Sequence, residues 1–298
     1  MLTRLGIAFM RSLGSWPLPL VRALGWCMGW CLYGLIPSRR HVVMVNLSLC
    51  FPEQTIKHRR AETRKIFINF AQTWLDRGWL WHGSPETTAK RLKLVGDLAQ
   101  LEGNSPTVLF APHFMGLDAG ATALSQNVPR QFSTIFTPQS NKAIDAWIAQ
   151  GRNRYGNAKL YDRLAGIKPV LSALRAGDPL YLLPDMDFGE NECVFVPFFG
   201  VPTATVPSLS RFARLGRAKV VPVLTRMTSY GYEVEILPAW EGFPSADAVA
   251  DTALMNQRLQ GYIATMPDQY YWVHKRFKTR PPGEADVYLP TKTTDKAN

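Results

Sequence analysis

From residue 105 onward, short apolar runs alternate with longer stretches in which apolar positions recur every three to four residues. The first pattern is typical of buried strands, and the second is typical of amphipathic helices. Strands are predicted over residues 107–111, 132–136, 179–183, 194–198, 218–224 and 232–237. Helices are predicted over residues 117–125, 141–155, 168–175, 207–215 and 248–266. This order of elements predicts an α/β fold with a mainly parallel mixed sheet flanked by helices.

The first 36 residues have a different pattern: they are apolar and aromatic, and their only charged side chains are Arg4, Arg11 and Arg22. The uncharged run over residues 23–36 is shorter than the about 20 residues that a membrane-crossing helix needs. No small-residue cleavage site follows it, so we expect it to be retained. The sequence therefore predicts an apolar, membrane-associated helical anchor over residues 1–40, an α/β domain over 41–290 and a loose polar tail over 291–298. The chain is expected to be polar and loosely held from Pro281 onward.

Tryptophans and basic residues extend the membrane signal beyond residue 40. Six of the nine tryptophans lie in the first 81 residues, and tryptophan prefers the headgroup level of a bilayer. Residues 58–65 are strongly basic and open a helix whose apolar positions, among them Ile66, Phe67 and Phe70, recur at helical spacing. A basic first turn beside an apolar stripe suits an anionic membrane surface. We expect this N-terminal third to contact a membrane; the alternative is a set of ordinary buried core helices.

The composition narrows the partners and the redox chemistry. With 34 Lys and Arg against 23 Asp and Glu, the formal charge is +11, which favours a nucleic acid, an acidic membrane surface or an acidic protein as partner. The four cysteines give neither a disulfide framework nor a paired zinc signature, and the five histidines are scattered along the sequence. The sequence also lacks the Gly-rich signatures of nucleotide-dependent enzymes. It therefore predicts no metal site and no cofactor.

A histidine that could act as a base follows the first predicted strand of this region. His113 lies between that strand and a predicted helix, which is where open α/β sheets build their sites. Asp118 follows five positions later, and a bend at Gly116 would let its carboxylate hold one imidazole nitrogen while the other takes a proton. Alone, this His-x-x-x-x-Asp string is weak, because a histidine after a strand is more often a structural residue.

Four segments, over residues 45–53, 110–118, 183–200 and 271–281, make the string far more specific. In these segments and in their order, the sequence resembles the late acyltransferases of bacterial lipid A biosynthesis, within the His-x-x-x-x-Asp/Glu glycerolipid acyltransferase superfamily. The likeness spans nearly the whole chain. It implies a glycerolipid acyltransferase-like fold and transfer of a fatty acyl group, usually from acyl carrier protein, to a hydroxyl of a lipid A precursor at the cytoplasmic face of the inner membrane.

The resemblance also implies roles for individual residues. His113 would be the general base and Asp118 its partner. Arg152 falls where the family has a functionally important arginine, and Asp185 matches an aspartate of the family's Pro-Asp-x-Asp segment. The lipid A branch commonly has Glu where this chain has Asp118, which leaves another glycolipid or glycerophospholipid acceptor open. The Phe-Pro-Glu-Gly-Thr-Arg box of the glycerol-phosphate branch does not follow His113, which favours the lipid A branch.

The remaining candidates would bind substrate or stabilise charge. The fork of Arg152 suits an oxyanion or a phosphate, and Asp185 could orient it, bind substrate or form a turn after Pro184. Asp187, two residues later, is not separable from Asp185 by sequence and is predicted to bind substrate. Lys275 and Arg276 belong to the densest basic cluster. They are expected to contact the anionic glycolipid acceptor, the acidic carrier protein or the inner membrane.

Other interpretations stay open at this point. The same basic and aromatic cluster could contact RNA through its phosphates and bases, but no nucleic-acid motif accompanies it, so no nucleic-acid partner is predicted. A noncatalytic membrane-surface binding protein on the same scaffold is the alternative from another class. The sequence has no Gly-x-Ser-x-Gly elbow, and Cys193 has no base beside it. We therefore expect direct transfer without an acyl-enzyme.

Overall fold

The computed structural model describes residues 2–289, so the tail predicted over residues 291–298 lies outside the described residues. The α-helices are α1 (Leu2–Ser12), α2 (Leu18–Leu35), α3 (Pro37–Cys50), α4 (Ile56–His82), α5 (Pro85–Arg91), α6 (Leu117–Asn127), α7 (Lys142–Arg152), α8 (Lys168–Arg175), α9 (Ser208–Gly216) and α10 (Ala248–Thr265). The strands are β1 (Leu92–Gly96), β2 (Thr107–Phe110), β3 (Phe132–Phe136), β4 (Ala158–Asp162), β5 (Leu180–Leu182), β6 (Val194–Phe198), β7 (Val201–Thr205), β8 (Lys219–Thr228) and β9 (Gly231–Ile236).

Seven strands form one sheet, in the order β1-β9-β8-β2-β5-β3-β4. Neighbours run parallel except β8 and β9, which follow each other in the chain and run antiparallel. The other two strands, β6 and β7, form a separate antiparallel hairpin. The predicted mainly parallel mixed sheet flanked by helices is therefore confirmed.

The six strands and five helices predicted from residue 105 onward are all present with ends shifted by a few residues, whereas β1, β4 and β7 were not predicted. The strands β1 and β4 form the two edges of the sheet, and β7 pairs with β6 alone. Each has exposed or half-buried positions along its length. Such strands lack the continuous apolar run by which a central parallel strand is recognised in a sequence.

Alternation along the central strand β2 divides the core into two parts. Val108 and Phe110 point to one side of the sheet, where they pack with apolar side chains of α3, α8, α9 and α10. Leu109 lies between them and points to the other side, into a cluster built by α4, α6 and the N-terminal helices. This period of two follows from the pleat of a strand. Both sides of β2 are buried, as its apolar sequence requires.

The N-terminal helices pack directly on this core. The helix α2 lies so close to α4 that a Cβ atom at Gly29 would be 2.5 Å from Ile68 Cα. The outward side of α1 and α2 is apolar and exposed, and includes Leu2, Leu5, Phe9, Leu20, Trp26, Trp30 and Leu35. Within residues 2–289, no single helix is long and apolar enough to cross a membrane; α2 and α3 together meet that test of length and composition, but they meet at a bend of 92°.

Two segment boundaries differ from the sequence-based expectation. Residue 40 falls inside α3, whose Val43 and Leu47 belong to the core of the α/β domain. In the chain after Pro281, which was expected to be loose, residues 282–286 and Leu289 are exposed, but one side chain is fixed. Tyr288 is buried; its hydroxyl donates to Asn46 Oδ1 (2.5 Å) and accepts from the Phe277 amide (3.0 Å). One aromatic side chain thus attaches this segment to α3 and to the chain at Phe277.

Candidate active site

His113 lies in the loop that connects β2 to α6, at the carboxyl end of the central strand. A short antiparallel bridge between Phe114 and Tyr270 fixes this loop. The Tyr271 amide donates to the His113 carbonyl (2.9 Å), and the Met115 amide donates to the Gln269 carbonyl (2.8 Å). The position predicted at a strand end is therefore what the structure shows, and a segment from the end of the chain holds it in place.

The imidazole of His113 is bound by Asp185. Nδ1 lies 2.8 Å from Asp185 Oδ1, and the His113 amide donates to Oδ2 of the same carboxylate (3.0 Å). The Tyr270 hydroxyl also donates to Oδ2 (2.9 Å). Because a carboxylate accepts, Nδ1 carries the proton. The other nitrogen, Nε2, is then the one that His113 offers to the cavity that its ring lines.

The environment keeps Asp185 ionised although it is completely buried. Burial by itself raises the pKa of this carboxyl, but the charge and hydrogen bonds of His113, together with the Tyr270 hydroxyl, bring the pKa below its ordinary value. An ionised carboxylate on Nδ1 fixes the tautomer and stabilises the ring when it gains a proton. Asp185 was predicted as a site residue, but its bond to the histidine was not foreseen.

Asp118, which was expected to hold His113, binds two arginines instead. Arg77 Nε lies 2.7 Å from Asp118 Oδ2, and Arg152 Nε lies 2.9 Å from Oδ1. Burial by itself raises the pKa of Asp118, but the charges and hydrogen bonds of Arg152 and Arg77 lower it to about 2. The predicted contact between Asp118 and the imidazole is therefore wrong. The error came from assigning the pair by closeness in sequence, whereas the carboxylate at the ring comes from 72 positions along the chain.

Gly116 also has a different role from the bend that was predicted. Its backbone has ordinary dihedral angles, φ −78° and ψ 9°, so it needs none of the conformational freedom of glycine. A Cβ atom there would lie 2.8 Å from Thr225 Cγ2 and 3.0 Å from the Tyr232 ring. Glycine is required because the start of α6 lies directly against β8 and β9.

Arg77 is a site residue that the sequence analysis missed. It comes from the middle of α4, and its guanidinium carbon lies 4.2 Å from the centre of the Trp74 ring and 5.6 Å from that of Trp81. Such stacking holds an arginine in one orientation. The only signal in the sequence was its position three residues after Trp74 on a predicted helix, and many surface arginines share that signal.

These groups face a cavity of about 780 Å³, which is in the range of about 300 to 1,000 Å³ typical of small-molecule sites. His113, Asp118, Arg77 and Arg152 form one cluster of charged and titratable groups on its wall. The rest of the lining is mostly apolar and includes Leu124, Phe132, Ile135, Leu160, Ile167, Val170, Leu182, Met186 and Phe212. The cavity can therefore hold a long apolar group beside a cluster of charges.

The three predicted substrate-binding residues separate in the structure. Asp187 lines the cavity, but its carboxylate accepts from the Thr279 amide (2.8 Å), the Thr279 hydroxyl and the Gly189 amide. Arg276 is only 1% exposed and donates to the Ala204 carbonyl and the Thr205 hydroxyl, both at 2.8 Å. The prediction that Arg276 binds substrate is wrong, because its guanidinium is buried against the chain itself.

Lys275, the third of these residues, lies on the outer surface. Its Nζ is 5.2 Å from the centre of the Tyr288 ring, apart from the residues that line the cavity. The basic cluster over residues 275–280 is therefore not a single binding face, because Arg276 and Arg280 donate to carbonyls of β7 and Lys275 is exposed. The sequence does not show which of these basic side chains are buried. Their burial depends on contacts with β7 and α3, which lie far away along the chain.

A second histidine lines the cavity. His274 Nε2 accepts from the Asp187 amide (3.3 Å), which requires a neutral ring. Burial and the nearby positive charges of His113, Arg276 and Lys278 lower its pKa to about 4. His274 therefore helps to hold the loop after Asp185 and stays uncharged near neutral pH. Among residues 2–289, no group of three or more His, Cys, Asp or Glu side chains is arranged to hold a metal ion.

Known proteins of one family are similar to this chain over most of its length. Residues 1–279 match the model of the family described as bacterial lipid A biosynthesis acyltransferase. A lipid A biosynthesis acyltransferase of Haemophilus influenzae is 33% identical, with 95% of this chain and 89% of the relative covered. The lipid A biosynthesis lauroyltransferase of Escherichia coli is 31% identical (96% and 94% covered), and its myristoyltransferase is 30% identical (95% and 89%). Among solved structures, the 1-acyl-sn-glycerophosphate acyltransferase of Thermotoga maritima is similar with a TM-score of 0.38 and 12% identity, covering 80% of this chain and 94% of its own.

Proposed function

The chain belongs to the bacterial lipid A biosynthesis acyltransferase family, and we propose that it transfers a fatty acyl chain from a thioester to a hydroxyl of a lipid A precursor, with His113 as the general base. The observation that carries this proposal is the bond between His113 Nδ1 and the buried Asp185, with the ring at the wall of a large apolar cavity. A base held in this way needs only an activated acyl donor and an alcohol to act.

The chemistry balances with one proton carrier. His113 Nε2 takes the proton of the acceptor hydroxyl as its oxygen adds to the thioester carbonyl, and the carbonyl electrons move onto the oxygen. When the tetrahedral adduct collapses, the carbonyl re-forms, the carbon–sulfur bond breaks and the imidazolium returns the proton to the departing thiolate. Asp185 stays ionised throughout and stabilises the imidazolium through Nδ1. The products are an ester and a thiol.

Arg152 and Arg77 supply positive charge beside this base. Each is bound to Asp118 through Nε, so the guanidinium forks keep their terminal nitrogens for another partner. Arginine forks match the geometry of a phosphate or a developing oxyanion. We assign Asp118 the role of a positioning residue, because it holds both forks without touching the reacting atoms. The same pair can bind the phosphate of the acceptor or the tetrahedral oxyanion.

We further propose that the donor is acyl carrier protein. The cavity wall includes the exposed Arg163 together with the partly exposed Phe188 and Ile167, which suits an acidic protein that delivers an apolar chain. The high net positive charge of the sequence favours the same encounter. Arg163→Glu should raise the KM for acyl carrier protein thioesters more than the KM for the matching coenzyme A thioester. An equal change for the two donors would contradict this assignment.

We also propose that the protein lies on the cytoplasmic face of the inner membrane. The support is the apolar outward side of α1 and α2, on which Trp26 and Trp30 are exposed, since tryptophan favours the membrane interface. Trp26→Glu combined with Trp30→Glu should move the protein from the membrane fraction to the soluble fraction of cells. Because α2 packs on α4 through Gly25 and Gly29, and both tryptophans are about half exposed, this variant should still fold. Unchanged fractionation would contradict the proposal.

The reaction is tested by mass spectrometry of lipid A from cells that carry wild-type protein, His113→Ala or no protein. Wild type should add one acyl mass that both other strains lack. Purified His113→Ala should keep the circular dichroism and melting temperature of wild type. A folded His113→Ala variant that still acylates would contradict the base assignment. Lipid A that never changes, with altered glycerophospholipids instead, would identify another acceptor for the same fold.

A further inference from the structure

A second cleft lies where α2, α3 and α4 meet, with a volume of about 320 Å³. Its lining consists of Tyr33, Pro37, Arg40, His41, Met44, Ile56 and Arg60. None of the residues described as lining it belongs to the catalytic cavity. A water molecule occupies about 30 Å³ in the liquid, so the cleft has room for a polar headgroup of several heavy atoms. The proposed acyl transfer makes no use of it.

The lining of the cleft combines two arginines with apolar side chains. Residues 37, 40, 41 and 44 share one face of α3 because they are spaced at one and two helical turns. Arg40 is held in place, since its Nη1 donates to the Tyr33 carbonyl (2.7 Å) and its guanidinium stacks at 5.1 Å from the Tyr33 ring. Arg60 enters from α4 on the opposite wall. Met44 and Ile56 add apolar surface to the same lining.

The surroundings of the cleft have a strong excess of positive charge. Residues 37–65 contain seven Lys and Arg against two Glu. One of the two, Glu62, is already bound to Lys65 Nζ at 3.1 Å. An anion that enters the cleft therefore meets two arginines with little opposing charge nearby. Arginine forks bind phosphate oxygens through paired, charge-assisted hydrogen bonds.

The position of the cleft indicates where the anion comes from. Trp30, which is exposed on α2, lies under the guanidinium of Arg64 at 5.8 Å, and Leu35, at the end of the same helix, is 79% exposed. The apolar surface that we propose for membrane contact thus runs up to the turn at which the cleft begins. Basic clusters beside such surfaces attract acidic headgroups.

We propose that this cleft binds the phosphate of an acidic phospholipid headgroup and so fixes the orientation of the protein on the membrane. The inference rests on the proposed membrane contact but goes beyond it, because it names a defined site. A diffuse charge effect would involve every basic residue of the surface equally. A defined site predicts that Arg40 and Arg60 contribute more to binding than the neighbouring basic residues do.

The test uses full-length protein and vesicles of phosphatidylcholine with or without phosphatidylglycerol. Arg40→Gln with Arg60→Gln removes the two cationic walls. The matched control is Arg39→Gln with Lys57→Gln, which removes the same charge from exposed positions of the same two helices outside the lining. The cleft pair should weaken binding to phosphatidylglycerol vesicles about tenfold more than the control pair, since hydrogen bonds to charged groups exceed the screened attraction of a free surface charge.

Each outcome decides between the proposals. Equal losses for the two pairs, or equal binding of wild type to both kinds of vesicle, would overturn the cleft and leave the membrane contact standing. Wild type that binds neither kind of vesicle would overturn both. Thermal protection by inorganic phosphate that the cleft pair alone loses, without a loss of vesicle binding, would show a free-phosphate site and overturn the lipid assignment. Both pairs should keep acyl transfer in detergent solution, which confirms that they fold. If Arg40→Gln disturbs the end of α2, Arg60→Gln alone against Lys57→Gln alone gives the same comparison.

Discussion

Two buried carboxylates hold side chains that line the same cavity, and their partners are of opposite kinds. Asp185 binds an imidazole and a hydroxyl, whereas Asp118 lies between two guanidinium groups. An imidazole gains and loses a proton near neutral pH, but arginine stays charged throughout the pH range in which proteins fold. The region around Asp185 can therefore transfer a proton, whereas the region around Asp118 keeps two positive charges in fixed positions. The chemistry of the partner, and not the distance along the chain to His113, decides the role of each aspartate.

The largest expected effect separates the two regions at Asp185. Asp185→Asn should lower kcat by about 10³ to 10⁴-fold, because the corresponding change in a serine protease triad, with loss of the correct tautomer, costs about 10⁴-fold. The measurement is steady-state acyl transfer by purified protein in detergent. Tyr270→Phe is the matched control, since it removes the other bond to Asp185 Oδ2 and should cost less than about tenfold, a typical value for one hydrogen bond. A folded Asp185→Asn variant with nearly normal kcat would contradict the proposed role of Asp185 in proton transfer.

The next effect lies in the arginine region. Arg152→Gln and Arg77→Gln should each lower kcat/KM by about 10²-fold, the usual cost of losing one donor to a developing oxyanion. Arg77→Lys should recover little, because lysine cannot reproduce a fork that is bound to Asp118 and stacked on Trp74. If Arg77→Gln leaves kcat/KM unchanged while Arg152→Gln lowers it, only Arg152 of this region takes part in the reaction.

A smaller effect concerns stability in acid. The pKa of Asp118 is about 2 in the folded protein and about 3.9 in an unfolded chain. Because the folded pKa is lower, ionised Asp118 stabilises the fold above the unfolded value, and this contribution is lost as the pH falls from about 4 towards 2. Between pH 5 and pH 2, the free energy of unfolding of wild type should fall by about 2 kcal/mol more than that of Asp118→Asn. Denaturant unfolding at several pH values measures the free energy of unfolding of both proteins. The same pH dependence for the two would contradict the assigned ion pairs.

The smallest effect is expected at Lys275. Lys275→Ala should change KM by less than about twofold, because an exposed charge outside the cavity contributes little. Arg276→Met, by contrast, should lower the melting temperature, since it removes the donors to Ala204 and Thr205 in a buried place. Kinetics and thermal unfolding of the two variants give the comparison. A large KM effect of Lys275→Ala would return this residue to the substrate site.

Sequence reasoning reached the parts of the site that depend on local pattern. The strand before His113 was readable because β2 is buried on both sides, and the Pro-Asp-x-Asp segment pointed to Asp185 through the family resemblance. Partners contributed by distant elements were not readable. Arg77 comes from α4 and Tyr270 from the end of the chain, and neither has a local signature. Arg276 and Lys275 are neighbours with the same charge, and only contacts with β7 distinguish the buried residue from the exposed one.

The central claim is that His113 and Asp185 act as one proton-transfer unit from which Asp118 is separate. It is tested most directly by single-turnover acyl transfer in the His113→Ala background. Residues that act as a unit are strongly non-additive, so adding Asp185→Asn to His113→Ala should leave the residual rate unchanged, whereas adding Asp118→Asn should lower it further. The reverse result, with Asp118→Asn silent and Asp185→Asn additive, would contradict the account and return Asp118 to the histidine.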